Sequence, residues 1–183
     1  IMVLRNSLSG LQSDSGVKLD ANKVSYVGIS LGSMVGVGYL NLEDRPTNAL
    51  LSVPGGGIAR LLDGSATFGP IIQAGLAAKG IVKGTADYDS FMFVTQTLLD
   101  PADPINLAAN IPAKHQILMH EVVGTDSATS GDQVIPNTVA GAPLSGTEPL
   151  IRMMGLTSVS ATNTSGVDGV VRFTAGKHSS LLD

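Results

Sequence analysis

Apolar residues recur along the chain in short blocks separated by glycine, proline and aspartate, and the blocks are of two kinds. Lys23-Val24-Ser25-Tyr26-Val27-Gly28 is short, rich in β-branched residues and largely apolar, which predicts a strand. Leu31 to Leu42 follows it directly with helical character, so the spacing predicts a strand that turns sharply into a helix at Ser30. Ala49 to Val53 reads as a second strand, ended by Pro54 and three glycines. Two strands around one helix make a βαβ unit, and parallel neighbours need just such a long crossover, so the sheet is expected to be parallel. Gln116 to Val122 and Asp168 to Phe173 give a third and a fourth strand, joined by loops rich in Gly, Thr, Ser and Pro. Upstream, Met2, Leu4, Leu8 and Leu11 predict the end of an amphipathic helix over Ile1 to Leu11, before a break at Ser13-Asp14-Ser15-Gly16.

From Gly55 to about Pro112 the pattern changes to helical pieces at Ile58–Leu62, Ile71–Ala78 and Ser90–Leu99. Their apolar residues, Leu61, Phe68, Ile71, Leu76, Met92 and Phe93 among them, exceed what one helix face needs. Some can line a pocket, and any one of them can equally well cover the sheet. The expected organisation is a core over 1–54 and 113–183 with a helical cap inserted at 55–112.

Composition fits one ordinary domain: 183 residues, 43% of them apolar, supply a real core. Charged residues are 14%, against about a quarter in typical domains, and the 22 glycines exceed the usual ~7%. Both features argue for buried parallel strands and tight turns. With 11 Lys and Arg against 15 Asp and Glu, and 4% aromatics, there is no cationic surface with stacking rings for nucleic acid. The absence of cysteine excludes disulfides, thiol catalysis and cysteine-based zinc sites. The apolar stretch from Tyr26 to Leu40 is shorter than the ~20 residues that span a bilayer and holds four glycines, so no membrane span is expected. The sequence opens on Ile1 rather than Met, from which an upstream portion of the protein is expected.

Gly28-Ile29-Ser30-Leu31-Gly32 is a G-x-S-x-G run, and the strand before it and helix after it give the pattern its meaning. The sharp turn is expected to force Ser30 into strained angles and push its hydroxyl out above the carboxyl end of the sheet. Side chains at Gly28 and Gly32 are expected to collide with the neighbouring strand or helix. The backbone N–H of Leu31, at the helix start, would then face the oxygen of an attacked carbonyl. The competing reading is a tight strand-to-helix turn with an ordinary serine.

A serine nucleophile needs a base, and the chain offers His115, His120 and His178. In the α/β-hydrolase order of serine, acid and histidine, the histidine follows the last strand. His178 does so, which puts it at the same sheet end as Ser30. His115 and His120, at the start and inside of the third strand, read as packed histidines. For the acid, Asp132 in Gly131-Asp132-Gln133-Val134-Ile135-Pro136 resembles the D-x-V-V-P segment of α/β-hydrolases, with Asp126 in the same loop as its rival. Glu121, within the strand, is less suited. Pro54-Gly55-Gly56-Gly57 follows the nucleophile instead of preceding it, so it fits the entry to the cap better than an oxyanion loop.

With elbow, D-x-V-I-P segment and Gly176-Lys177-His178 in this order, the chain resembles the C-terminal half of an α/β-hydrolase. Val27 to Gly36, Gln96 to Asn106 and Gly131 to Asn137 are similar to bacterial extracellular lipases, including lysophospholipase-like surface lipoproteins. Ile29 and Ser33 depart from the His and Gly that many lipases carry there. The resemblance implies an α/β fold whose last four strands lie here. It also implies a second oxyanion donor supplied by an absent N-terminal half, either a separate chain of a nicked enzyme or a part cut away, and a secreted or cell-surface location. The activity it implies is that of a serine carboxylic-ester hydrolase acting on acyl-lipid esters, with no metal or organic cofactor. The alternatives are a non-catalytic binding module of the same fold, or a thioesterase, peptidase or polyester hydrolase on the same three residues.

Overall fold

The computed structural model describes residues 7, 16–20, 22–124, 131–166 and 168–182. The expected helix over Ile1 to Leu11 lies, apart from Ser7, outside the described residues, as does Asp126. Five strands, β1 (Ser25–Ile29), β2 (Asn48–Ser52), β3 (Gln116–Val122), β4 (Thr157–Ser158) and β5 (Gly169–Phe173), form one sheet in the order β1-β2-β3-β5-β4. Every pairing is parallel. Ile29 lies opposite Ser52, Ser52 opposite His120 and His120 opposite Val171, so the strand exits share one rim.

Helix α1 (Leu31–Leu42) leaves β1 with no intervening loop and buries Met34, Val37 and Leu40 at near-helical spacing. Gly36 has no side chain for a physical reason: a Cβ there would overlap the Tyr26 ring, which packs against the helix. The α/β core gathers on one sheet face. Val37 and Leu40 of α1, Ile105 of α5 (Pro104–Leu107) and Leu150, Ile151 and Met154 of α6 (Thr147–Met154) enclose Ala49, Leu51, Ile117, Met119 and Val170 of the strands.

The opposite face is different. Among the described residues, Val27 of β1 is 63% exposed, and Leu118 of β3 and Phe173 of β5 are exposed as well. A cleft of about 900 Å³ runs along this face, lined by Tyr26, Val27, Leu50, Leu118 and Val171, away from Ser30. No described helix is long and apolar enough to cross a membrane.

The helices of the 55–112 segment are longer than their apolar runs: α2 (Ile58–Gly64), α3 (Gly69–Ala77) and α4 (Ala86–Leu99). In α4 the start is set by capping. Thr85 accepts the Tyr88 N–H, and Asp87 and Asp89 sit in the first turn, where carboxylates favour the helix dipole. Ala59, Tyr88 and Met92 form a small core of their own, while Ile71, Phe93, Val94 and Leu98 are exposed.

Two elements depart from the sequence reading. The expectation of four strands is corrected by β4, two polar residues too short to carry a periodic pattern. Helix α6 occupies part of what reads as loop. Its Pro149 lies in the first turn, where a missing N–H costs little, and Gly155 ends it with φ 65°.

Candidate active site

Ser30 stands at the head of α1 with φ 53° and ψ −123°, a conformation uncommon for any residue but glycine. The turn is held from β2: the Ser30 N–H donates to Ser52 O at 2.9 Å, and the buried Ser33 hydroxyl donates to the same carbonyl at 2.8 Å. Of the two flanking glycines only Gly28 is crowded. A Cβ at Gly28 would lie 2.7 Å from Ser33 N, whereas one at Gly32 meets nothing within 4 Å among the described residues. The expected collision at Gly32 is therefore corrected: this residue is exposed beside the outer edge of β1, where its carbonyl accepts the Tyr26 hydroxyl at 2.6 Å. The Leu31 amide belongs to the first turn of α1, whose N–H groups have no partner within the helix.

Asp132 enters from the end of β3, its N–H donating to Val122 O at 3.1 Å. Its carboxylate accepts Val134 N–H at 2.8 Å and Ile135 N–H at 3.0 Å on Oδ1. The other oxygen, Oδ2, lies 2.6 Å from Nδ1 of His178, which follows β5. With the carboxylate as acceptor, Nδ1 carries the proton and Nε2 of the neutral ring is free to accept one. The Asp132 side chain is 1% exposed and that of His178 21%, so the pair is shielded on the acid side and open on the imidazole side. Ile135, three residues past the acid, packs with Met34 of α1 and Leu61 of α2, which joins the loop holding Asp132 to the helix headed by Ser30.

The structure thus joins Asp132 to His178 by a hydrogen bond and sets Ser30 on the same rim. Among the described residues the Ser30 hydroxyl has no hydrogen bond to His178; a contact between base and nucleophile often tightens only when substrate is bound.

The other histidines are placed differently. His115 is buried, with its ring nitrogens against the carbonyls of Pro46 and, at 2.9 Å, Leu40. His120 packs edge-on to Phe173, and burial pushes its pKa down. Among the described residues no group of three or more histidine, aspartate or glutamate side chains is arranged to hold a metal ion.

Three features near the rim escape the sequence reading. Val53, next to Ser52 at the exit of β2, has φ 47°, an outlier for a β-branched residue. No pattern signals it, because valine is among the residues least suited to that region. Asp103, fully buried, accepts the Gly57, Ile58 and Ile105 N–H groups and so caps both α2 and α5. The Asp103-Pro104 pair is a readable capping signal. Glu121 is also fully buried: Arg172 Nε donates to its Oε2 at 2.9 Å and to Glu148 Oε1 at 3.0 Å. Burial, reinforced by the Glu148 charge against the opposing pull of Arg172, pushes the Glu121 carboxyl up to about 7.

No protein-family model matches this chain, and no curated protein matches it. Among solved structures, puromycin hydrolase aligns with a TM-score of 0.50 and 14% identity over 96% of this chain and 21% of its own. Acylaminoacyl peptidase from Pyrococcus horikoshii aligns at a TM-score of 0.47 and 16% identity, over 88% of this chain and 20% of its own. The chain therefore spans about a fifth of the length of each of these two structures. The likeness to puromycin hydrolase, together with a parallel sheet entered by a strand, a strained serine and a helix in direct succession, gives this chain the α/β-hydrolase fold.

Proposed function

We propose that this chain carries the catalytic residues of a serine hydrolase that cleaves carboxylic esters through an acyl-enzyme. Ser30 Oγ attacks the acyl carbonyl. His178 Nε2 takes the serine proton and returns it to the leaving alcohol, and Asp132 holds the imidazole in that tautomer and stabilises the imidazolium. The Leu31 N–H donates to the oxyanion, and water releases the acyl group by the reverse sequence. The observation that carries this reading is the 2.6 Å bond from His178 Nδ1 to Asp132 at the rim where Ser30 is held at φ 53°.

The exposed Ile71, Phe93, Val94 and Leu98 support an acyl chain as part of the substrate, since they give the helical segment an apolar surface outside its own core. The reading includes an upstream portion that supplies the second oxyanion donor. The exposed apolar face and the edge position of β1 support it, because a parallel sheet is ordinarily covered on both faces. Lacking one such donor costs about 10²–10³ in rate.

A second reading, hydrolysis of an amide by the same three residues, draws on the name of puromycin hydrolase. Turnover of p-nitrophenyl esters of graded chain length, set against the matching anilides, separates the two in the longest form of the protein that carries this chain. Ester turnover that survives unchanged in Ser30→Ala contradicts the proposal.

A further inference from the structure

We propose that Glu121, Arg172 and Glu148 form a clamp that keeps Asp132 and His178 aligned only while the two carboxylates hold one proton between them. The proposal rests on the reading of Asp132 and His178 as acid and base, and concerns what positions them. Each member of the cluster sits on an element that carries the pair. Glu121 is in β3, and the next residue, Val122, gives its carbonyl to both the Asp132 N–H at 3.1 Å and the Asn137 side-chain amide at 2.9 Å. Arg172 is in β5, whose exit leads to His178. Glu148 is in the first turn of α6, and its N–H donates to the Asn137 carbonyl at 2.9 Å, at the end of the loop that holds Asp132. One guanidinium therefore ties together all three supports of the acid–base pair, through Glu121 at 2.9 Å and Glu148 at 2.8 Å.

The charge count decides how this cluster behaves. Two carboxylates share one guanidinium, and β2, on the other side of β3, adds no charged side chain. With both acids ionised, a buried excess negative charge remains. Glu121 Oε1 is buried with no hydrogen-bond partner among the described residues, as is Asn137 Oδ1. A proton on the Glu121 carboxyl removes the excess charge and supplies an O–H that the neighbouring Glu148 carboxylate accepts, so that the two acids share it. As pH rises, the carboxyl O–H bond breaks, the proton passes to water and the electron pair stays on Glu121. Arg172 must then serve two full carboxylates, and the more exposed Glu148 yields, releasing the start of α6 and with it the Asp132 loop. These are positioning residues: none of the three touches the reacting atoms.

The test follows the His178 Nδ1–H resonance of this protein by NMR from about pH 5 to 9, a proton that both neutral and charged forms of the Asp-bound ring keep. The wild type is expected to lose the signal to solvent exchange as pH rises through the neutral range. Glu121→Gln, which cannot ionise, is expected to retain it across the range. Glu148→Gln, at a partly exposed position, leaves one carboxylate to one guanidinium and is expected to retain it too, so the test stands even if the buried substitution fails to fold. Loss of the signal at the same pH in the wild type and in the variants overturns the clamp. Covalent labelling of Ser30 by a fluorophosphonate is read in parallel. Labelling without the pH effect removes the clamp and leaves the hydrolase, whereas the pH effect without labelling removes the hydrolase and leaves the clamp.

Discussion

Two buried carboxylates meet the end of β3, Glu121 within the strand and Asp132 through the hydrogen bond from its N–H to Val122 O, and their surroundings treat them in opposite ways. Asp132 accepts two backbone N–H groups and an imidazole N–H, so each of its oxygens is satisfied. Glu121 has a guanidinium shared with a rival acid and one oxygen without a partner among the described residues. Backbone donors leave Asp132 with both oxygens satisfied, whereas burial beside another acid favours a proton on Glu121. Burial alone therefore does not decide how an acid behaves; the groups placed around it do.

Removing the acid that the backbone donors hold is expected to have the largest effect. Asp132→Asn replaces an acceptor with a group that can donate to Nδ1 and invert the tautomer, and a loss of about 10⁴-fold in kcat is expected with the fold intact. A loss below tenfold would show that the imidazole does not depend on this partner. Next comes the cation beneath. Arg172→Met leaves Glu121 buried without its counter-charge, at a cost of about 3–5 kcal/mol near neutral pH. Chemical denaturation at two pH values checks it, since the cost should shrink in acid, where Glu121 is protonated in both proteins.

The smallest effect is a slope. The folded-state pKa of Glu121 is raised from 4.5 to about 7, so the folded state holds the proton more tightly than the unfolded chain. Its contribution to stability is full below the unfolded value and is lost as pH rises through about 7. Relative to Glu121→Gln, the wild type is expected to lose at most about 1.4 kcal/mol per pH unit across that window. Parallel stability curves for the two proteins would leave Glu121 with no unusual titration.

The fold was legible where pattern and topology reinforce each other. The apolar block before Ser30 and the helical spacing after it require a sharp corner, and the order of strands and crossovers makes the sheet parallel. The candidates Ser30, Asp132 and His178 could be named because each follows a strand at the same end. What the sequence does not carry is mutual arrangement. Glu121 reads only as a strand residue ill suited to be the acid until Arg172 and Glu148, 51 and 24 residues from their partners in the cluster, close on it. Val53 has no local reason to adopt a left-handed conformation; the hydrogen bond from its N–H to His120 O accompanies the conformation in the folded sheet. Gly28 and Gly32 look equivalent in the motif, yet only the first meets a neighbour within the described fold.

Reaction of the protein with a fluorophosphonate, followed by peptide mapping, decides whether Ser30 is the nucleophile. A single adduct on Ser30 is expected, formed more slowly in His178→Ala and absent in Ser30→Ala. An adduct on another serine, or a Ser30 that stays unmodified while the protein turns over its ester, contradicts that role.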